Sequence, residues 1–535
     1  MLPGPCSQTS FGQGHRRIVR YPSSCFVRMQ DYIDPDIPSS SSAESMWDKI
    51  DKAQDALSIQ SKRNRGDDKW DVKSLYPRYW QEVLPRRSPF NNNNKRAITN
   101  LDTTNEHSSF TVATFNTLAR GLSCCGPSST HIPPPLPKES AIFDPYGGFR
   151  NVTSPEVVFD YNVRKWRLLH VLLGGGLTSS TDTSHCHRDR ISTSTTQQQQ
   201  QQPTFDIIAL QEMDEYNSFF RPLLVNTNQN NLDSSCCYRG TFQPKPNSPC
   251  VPLGFYSDGV ALLWNENKFE TIHRPNSCRV NEEDNDNDCV AWIDRGSFSG
   301  KEGGSMANNN NDDDDKEVDI INVGNQVYIL VPLRIIGTRK CIVVGATHLK
   351  AKSGLQNERI RHVQAMELRY RAEKMAQEIL TTTTAATMGG RKEVSVLLLG
   401  DFNSEPHESA VRGIMCSEKK DDDSSSGKSW QYQSAYPLPN QEDIPTIENN
   451  DSLYTTWKIR REGEIKRIID YIFHASHSSS TTSDDDKNGK EGEDGLLMKC
   501  THVLSIPKDE DVENGRYPGY RYPSDHLLIA AKFEY

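Results

Sequence analysis

Polar side chains able to do acid–base chemistry flank short apolar segments at several places in this chain. At one of them, Tyr522-Pro523-Ser524-Asp525-His526 precedes an apolar strand predicted from Leu527 to Phe533. A His beside an acid is by itself often a solvated loop contact, so the pair alone favours an interpretation without a catalytic role. The functional interpretation gains weight from other segments that carry the same kinds of residue.

Five more apolar segments bring an Asn, a Glu, a His or an Asp to one end. Phe110–Phe115 precedes Asn116, Phe205–Leu210 precedes Gln211-Glu212, Val343–Ala346 precedes Thr347-His348, Val394–Leu399 precedes Gly400-Asp401-Phe402-Asn403, and Ile468–Ile472 contains Asp470. Short apolar runs of this kind predict buried strands. Because strands hold side chains rigidly, we predict a single polar site at one edge of a sheet.

The acids and amides of this set suit the hydrolysis of a phosphate ester. Glu212 follows a buried strand and is predicted to bind a hard divalent cation, Mg²⁺ or alternatively Mn²⁺. Taken alone, a Glu at that place is more often an acid at a helix N terminus. Asp401 and Asn403 are predicted to orient a water and to donate to a phosphate oxygen, although Gly-Asp-X-Asn is also compatible with an Asx turn.

Asp470 and His526 are predicted to form the general base. A carboxylate that accepts from one ring nitrogen leaves the other nitrogen to take a proton from water. His348 offers a second imidazole for the phosphate or the leaving group. If a cation polarises the phosphoryl oxygen while Asn116, Asn403 and His348 hold the developing charge, the reaction is in-line hydrolysis without a serine or cysteine nucleophile.

The elements that must position these residues alternate between apolar strands and helices, which predicts an α/β sandwich. A helix from Asn162 to Leu173 is predicted to pack on the outside of a sheet, with Arg164, Lys165 and Arg167 on its opposite, polar face. A second helix is predicted from about Glu358 to Ile379, with arginines that solvate it.

The chain of 535 residues is longer than its core requires. Several runs have few or no apolar side chains to bury: Gln197–Gln202, Asn308–Asp315, Thr381–Thr384, Asp421–Ser426 and Ser478–Asp486. We predict disordered loop insertions near 174–203, 300–318, 417–428 and 475–496, all within one domain spanning residues 105–535.

The N-terminal region has a different composition. Residues 1–30 contain four arginines and no acid, which suits a mitochondrial transit peptide and a disordered basic tail equally well. Residues 31–104 are predicted to be a linker, largely disordered, in which Trp47, Trp70 and Trp80 leave room for a docking segment.

Charge, cysteine content and hydropathy exclude several classes of protein. The formal net charge of −10 argues against binding nucleic acid by bulk electrostatics. The 13 cysteines show no zinc or disulfide pattern, which favours a reduced compartment. No apolar segment is long enough to span a membrane. We therefore expect a cytoplasmic or mitochondrial protein, as a monomer and away from membranes.

An ordered set of motifs resembles the endonuclease/exonuclease/phosphatase superfamily: Asn116, Gln211-Glu212, Asp258-Gly259, Thr347-His348-Leu349-Lys350, Gly400-Asp401-Phe402-Asn403, Asp470-Tyr471-Ile472 and Ser524-Asp525-His526. The resemblance covers about residues 108–535 once the insertions are set aside. It implies a four-layered α/β sandwich with Glu212 as metal ligand, assisted by Asp525. It also implies the roles assigned above to Asp470, His526, Asp401 and Asn403.

Residues 243–250, 454–460 and 514–526 resemble one branch of that family, whose activity is removal of the 2′-phosphate from NADP⁺ and NADPH. The resemblance implies that Lys245 and Lys350 contact phosphate and that Asp258 belongs to the substrate site. From composition alone, Asp258 fits a turn equally well and Lys245 a solvated loop. Lys352 stands where the branch usually has an arginine, and it lacks the planar fork with which a guanidinium grips phosphate.

Two alternatives share the same fold. A 3′–5′ exoribonuclease that removes poly(A) would use the same catalytic set, but the sequence shows no leucine-rich repeat and no basic stripe interleaved with aromatics. A non-catalytic interaction protein would be expected to lose Glu212, Asp401 or His526, and all three are present. The resemblance implies NADP⁺ or NADPH as the substrate, with poly(A) RNA as the alternative.

Overall fold

The computed structural model describes residues 34–37, 45–64, 75–83, 109–123, 145–175, 177, 204–225, 238–273, 292–299, 324–382, 393–416, 430–439, 453–476 and 498–535. The predicted tail at 1–30 and the insertions predicted at 300–318 and 417–428 lie outside these residues. The insertions predicted at 174–203 and 475–496 lie outside them except at their first few positions.

Within these ranges the chain forms sixteen strands and six α-helices. The strands are β1 (Trp80–Glu82), β2 (Ser109–Asn116), β3 (Ile207–Met213), β4 (Tyr238–Pro244), β5 (Gly259–Asn265), β6 (Phe269–Thr271), β7 (Asp294–Ser297), β8 (Val327–Ile335), β9 (Lys340–His348), β10 (Glu393–Asp401), β11 (Gln431–Ser434), β12 (Thr456–Arg460), β13 (Gly463–Arg467), β14 (Asp470–Ser476), β15 (Lys499–Leu504) and β16 (Ile529–Glu534). The helices are α1 (Met46–Asn64), α2 (Pro155–Val158), α3 (Tyr161–Leu172), α4 (Arg221–Leu224), α5 (Leu355–Thr382) and α6 (Ser409–Met415).

Most of the strands belong to two large mixed sheets. The first sheet has the order β1-β15-β16-β2-β3-β5-β4. The second has the order β11-β14-β10-β9-β8-β6, and β7 also pairs with β8. The strands β12 and β13 form a separate hairpin. The pairs β2/β3 and β9/β10 are parallel, whereas the other pairings within the two sheets are antiparallel.

The two sheets pack face to face, with helices on both outer faces. Val112 of β2 and Leu397 of β10 belong to the core between the sheets. Trp166 of α3 packs in the core outside the first sheet, together with residues of α1. Leu368 of α5 and Val411 of α6 pack in the core outside the second sheet. These are four layers, helix–sheet–sheet–helix, and the predicted α/β sandwich is confirmed.

The strand directions explain why the predicted polar residues meet at one edge. The carboxyl ends of β9 and β10 lie side by side, with His348 opposite Asp401. The strand β14 runs antiparallel to β10, so Asp470 at its first position lies opposite Asp401. Gly400 allows this close approach, because a Cβ there would lie 2.0 Å from the Thr347 carbonyl oxygen, and its φ is +148°.

The prediction of a polar outer face for the helix at 162–173 is wrong, because this helix, α3, is covered on both sides. Arg164, Lys165 and Arg167 are all buried. The two guanidinium groups donate to backbone carbonyls of neighbouring loops. The Lys165 ammonium lies 2.7 Å from a carboxylate oxygen of Asp34 and 2.7 Å from one of Asp36. The helix α1 packs on α3 as well.

Part of the predicted linker is structured, so that prediction is wrong for residues 45–64 and 75–83. They contain α1 and β1, and β1 pairs with β15 at the edge of the first sheet. Buried Arg78 donates to backbone carbonyls, including that of Ser505 at 2.7 Å. Trp80 is partly buried against the core outside the first sheet, Trp47 is 44% exposed, and Trp70 lies outside the described residues.

The helix α5 is longer than predicted and uses its arginines structurally. It begins at Leu355 and ends at Thr382, so Thr381 and Thr382 belong to the helix and not to an insertion. Arg361 is buried, which contradicts the expectation that the arginines of this helix are solvated. Of the helices that the structure describes, none is long and apolar enough to cross a membrane.

Candidate active site

The structure brings the two predicted base residues into direct contact. His526 Nδ1 lies 2.9 Å from Asp470 Oδ2, and both side chains are buried. The backbone amide of Asp470 donates to Thr455 Oγ1 at 3.1 Å, and Ser524 Oγ donates to the Asn116 carbonyl at 2.6 Å. The segment carrying His526 is therefore fixed to β2, and the pair has the geometry of an oriented imidazole.

The environment of His526 favours its protonated form. Burial acts to lower the pKa of His526, but the Asp470 carboxylate opposes it and the pKa is raised to about 9. Asp525 and Asp401 act in the same direction as Asp470. Lys458 Nζ lies 3.4 Å from the other ring nitrogen, Nε2, and opposes the protonated form. Base catalysis by His526 therefore needs an alkaline medium or a further positive charge nearby.

Asp401 is held by two amide donors at the end of β10. Asn116 Nδ2 donates to its Oδ2 at 3.0 Å, and the backbone amide of Asn403 donates to its Oδ1 at 2.8 Å. Burial and the nearby Asp470 carboxylate raise the pKa of Asp401 to about 7. The three predicted residues Asn116, Asp401 and Asn403 thus form one hydrogen-bonded unit.

His348 lies between two of the predicted carboxylates. Its Nε2 is 3.7 Å from Asp401 Oδ2 and 3.9 Å from Glu212 Oε1. Burial holds the pKa of His348 well below its usual range, and the Lys245 ammonium and His526 act in the same direction. Among the described residues, neither ring nitrogen has a hydrogen-bond partner. A neutral, unpartnered imidazole is suited to bind a substrate oxygen.

Glu212 occupies a β-bulge near the end of β3, where the register with β5 shifts between Leu210 and Met213. Its φ is +52°, a conformation that a residue with a side chain rarely adopts. Its Oε2 accepts from the Ala119 amide at 3.3 Å, and 14% of the side chain is exposed. Asn403 is similar, with a φ of +49°. Such backbone strain concentrates at functional sites, where a bulge re-aims a side chain.

The donor atoms of the site fit a hard divalent cation. Ligand atoms of Asp401, Asp470 and His526 lie within 4.8 Å of one another. The buried Oδ1 atoms of Asp470 and Asp525 have no hydrogen-bond donor in the described part of the chain. Carboxylate oxygens left without donors are the chemistry that Mg²⁺ and Mn²⁺ require.

This grouping differs from the predicted ligand pair of Glu212 and Asp525. The Asp525 Oδ2 lies 2.6 Å from Lys458 Nζ and 3.3 Å from Arg460 Nη2. Burial would raise the pKa of Asp525, but Lys458, His526 and Arg460 hold it below its usual range. One oxygen of Asp525 is therefore neutralised by protein cations and only the other is open to a metal, so its metal role stays a prediction.

Lys245 and Asp258 form a buried ion pair. Lys245 Nζ lies 2.5 Å from Asp258 Oδ2, and 6% of the lysine side chain is exposed. Ser248 Oγ donates to the other oxygen of Asp258 at 2.5 Å. Lys245 is therefore not the solvated lysine that its loop suggested. Asp258 contacts Lys245 and Ser248, and its place in the substrate site stays a prediction.

The backbone that carries Lys350 and Lys352 is fixed by side chains of α5. Arg361 Nη1 donates to the Lys350 carbonyl at 3.3 Å and to the Lys352 carbonyl at 2.8 Å. The Lys350 amide donates to Gln364 Oε1 at 2.9 Å. Lys352 is exposed and has a φ of +85°. Both lysines therefore project from a loop with a defined conformation.

Sequence reasoning missed the site cations Lys458 and Arg460. They lie on β12, which begins at Thr456 and continues to Arg460. Two residues apart on a strand, Lys458 and Arg460 share one face, and both contact Asp525. The alternation of Lys and Arg at the end of an apolar segment is the signal that would have found them.

Comparison with known proteins gives one family and several relatives. The profile of the Endonuclease/Exonuclease/phosphatase family matches residues 187–526. Nocturnin from Mus musculus is 27% identical over 332 residues, covering 62% of this chain and 55% of the relative. Nocturnin from Homo sapiens is 26% identical over 332 residues, covering 62% of this chain and 54% of the relative. The chain thus spans about half the length of the curated relatives it matches.

Solved structures show weaker similarity. The human Nocturnin catalytic domain with bound sulfate anion is 20% identical, with a TM-score of 0.42, covering 80% of this chain and 94% of that chain. ANGEL2, a 2′,3′-cyclic phosphatase, is 15% identical, with a TM-score of 0.45, covering 86% of this chain and 98% of that chain. Nocturnin is the branch that residues 243–250, 454–460 and 514–526 resemble.

Proposed function

The chain belongs to the endonuclease/exonuclease/phosphatase family, and we propose that it is a metal-dependent phosphoric ester hydrolase that removes the 2′-phosphate of NADP⁺ and NADPH. The observation that carries the proposal is the buried contact between His526 and Asp470, beside Asp401 and a His348 ring that has no hydrogen-bond partner among the described residues. This arrangement can activate a water and bind a phosphate oxygen without a protein nucleophile. The similarity to nocturnins supports the choice of substrate.

The residues of the site divide the reaction among them. Asp470 accepts from Nδ1–H of neutral His526 and leaves Nε2 to take a proton from the attacking water. Asp401, held by Asn116 and Asn403, orients that water. The new bond joins the water oxygen to phosphorus while the bond from phosphorus to O2′ breaks. The leaving oxygen takes a proton from solvent and His526 releases its proton to solvent, which gives NAD⁺ or NADH and inorganic phosphate.

We assign the metal to the carboxylates of the site. Glu212 would hold it, together with Asp470 Oδ1 and Asp525 Oδ1, which have no donor in the described part of the chain. When bound, the cation supplies Lewis-acid polarisation of the phosphoryl oxygen. A bound cation would also offset the charge of Asp470, which adds to burial in raising the pKa of Asp401.

Three lysines account for a preference for a phosphorylated dinucleotide. Lys245 is buried near His348 and influences its pKa, so its ammonium lies close to the reacting centre. Lys350 and Lys352 project from the loop that directly follows His348. A phosphate that enters between these groups exchanges water for charge-assisted hydrogen bonds.

The test is hydrolysis by the purified full-length chain. Incubation with NADPH and Mg²⁺ should release one phosphate for each NADH formed, and NADP⁺ should give NAD⁺ in the same way. Glu212→Gln should lower kcat by about a thousandfold or more, because the substitution removes a charged metal ligand but keeps the shape of the side chain. Circular dichroism of the variant controls for its folding.

An adenosine oligomer labelled at its 5′ end, in a parallel reaction, tests the exoribonuclease alternative. Shortening of the oligomer without phosphate release from NADPH would reject the proposed substrate and favour that alternative. Turnover of neither substrate by a folded, metal-loaded protein would favour the non-catalytic alternative.

A further inference from the structure

Asn325 links a loop of the second sheet to a loop of the first sheet. It precedes β8 of the second sheet, whereas Asn247 lies in the loop between β4 and β5 of the first sheet. Asn325 Oδ1 accepts from the Asn247 amide at 2.7 Å. Asn325 Nδ2 donates to the carbonyl of the same residue. The Asn325 side chain therefore bonds both the N–H and the carbonyl of Asn247, which lies in a loop of the other sheet.

This link lies between the two lysines assigned to phosphate. Asn247 is two positions after Lys245 in the chain. On the other side, Gly324 adjoins the Lys350 side chain, and a Cβ at Gly324 would lie 3.8 Å from Lys350 Cδ and 3.9 Å from its Nζ. The Gly324-Asn325 dipeptide thus contacts Lys350 with one residue and the loop of Lys245 with the next.

Each lysine is also anchored within its own sheet. Asp258 and Ser248 hold the Lys245 loop, and Arg361 holds the backbone at Lys350. These anchors fix each loop locally, but they do not set the separation between the loops. Because the two lysines belong to loops of different sheets, their separation depends on contacts between the loops, and Asn325 makes such a contact.

We propose that Asn325 is a positioning residue that sets the separation of Lys245 and Lys350 and thereby the preference for a dinucleotide that carries a 2′-phosphate. The inference rests on the proposed function and deepens it. Asn325 does not need to touch the substrate, because its two hydrogen bonds end on the backbone of Asn247. Its effect should therefore pass through Lys245.

The test compares binding of NADP⁺ and NAD⁺ to the full-length chain by titration calorimetry in a buffer without divalent cations, so that NADP⁺ is not hydrolysed during the titration. Asn325→Ala should weaken NADP⁺ binding about three- to tenfold, the range for loss of one or two exposed hydrogen bonds, and should leave NAD⁺ binding unchanged. The control is Asn267→Ala. Asn267 is an exposed asparagine that follows the end of β5 distant from the site, and this variant should change neither affinity.

A double variant separates positioning from general loop stability. If Asn325 acts through Lys245, adding Asn325→Ala to Lys245→Ala should cause no further loss of NADP⁺ affinity. Additive losses, or an equal loss for NAD⁺, would overturn the inference. If the wild-type protein prefers NADP⁺ and Asn325→Ala keeps the same preference, the inference about Asn325 is wrong but the proposed function stands. A wild-type protein without any preference would reject the proposed substrate and the inference together.

Discussion

His526 holds its proton more tightly than an ordinary histidine, and this sets the pH dependence of the proposed reaction. A general base must be neutral to accept a proton, and the raised pKa of about 9 means that the neutral fraction of His526 is small at pH 6 and rises steeply towards pH 9. We expect kcat/KM for NADPH to rise from pH 6 towards pH 9. A pH–rate profile at saturating Mg²⁺ measures this.

The variant Asp470→Asn tests whether the Asp470 carboxylate causes the raised pKa of His526. Without the carboxylate charge, the pKa of His526 should fall, so the rising limb of the profile should move to lower pH while the maximal rate decreases. A profile that keeps its shape in the variant would show that His526 is not the titrating group.

Lys352 is a second residue whose chemistry makes a prediction. It is exposed on the loop after His348, where the nocturnin branch usually has an arginine. A guanidinium can bind a phosphate through two parallel hydrogen bonds, whereas an ammonium acts as a point charge. Lys352→Arg should therefore lower KM for NADPH about three- to tenfold, the range of roughly one ordinary hydrogen bond. Lys374→Arg, an exposed lysine of α5, is the control and should leave KM unchanged.

At the scale of elements, the strands were predictable and the buried cations were not. The apolar runs that end in Asn116, His348 and Asp401 are β2, β9 and β10, because a continuous apolar run of that length is buried on both faces of a sheet. The charges of α3 were assigned to solvent by the same pattern rule. Residues distant in sequence, such as Asp34 beside Lys165, decide their burial, and local periodicity does not contain that information.

Arg361 shows how a helix stabilises the substrate loop. Its guanidinium donates to two carbonyls of the Lys350–Lys352 loop, and its Nη2 lies 3.1 Å from Glu408 Oε1. Arg361→Lys keeps the positive charge but loses the planar guanidinium that donates to both carbonyls. We expect the free energy of unfolding to fall by about 1–3 kcal/mol and KM for NADPH to rise, because the loop loses an anchor.

Urea unfolding and steady-state kinetics measure the two effects of Arg361→Lys. Arg359→Lys is a matched control, since Arg359 is exposed on the same helix. If Arg361→Lys destabilises the protein without changing KM, the loop does not depend on Arg361 for its conformation.

At the scale of the molecule, the site exists because two sheets close on each other. Asn116 and Glu212 come from the first sheet, whereas His348, Asp401 and Asp470 come from the second. The sequence predicted that these residues would meet, because strand ends share an edge. It did not predict which carboxylate pairs with which cation. The partnership of Asp525 with Lys458 and Arg460 depends on how the β12–β13 hairpin lies against the edge of the site.

The N-terminal segment is part of the same folded unit, and its removal should destabilise the whole molecule. Lys165 is buried, and its two carboxylate partners, Asp34 and Asp36, belong to that segment. A chain that begins at residue 84 also lacks α1 and β1. An uncompensated buried charge costs about 3–5 kcal/mol, so we expect the melting temperature to fall by roughly 10 °C relative to the full chain.

Lys165→Met distinguishes the lost ion pair from the lost packing of α1. In the full chain the substitution leaves Asp34 and Asp36 without their cation and should destabilise the protein. In the chain that begins at residue 84 it removes the unpaired buried ammonium, so it should raise the melting temperature. Thermal unfolding of the full and the shortened chain, each with and without Lys165→Met, measures both changes in melting temperature. If Lys165→Met destabilises the shortened chain as much as the full one, Lys165 does not depend on the N-terminal carboxylates for its burial.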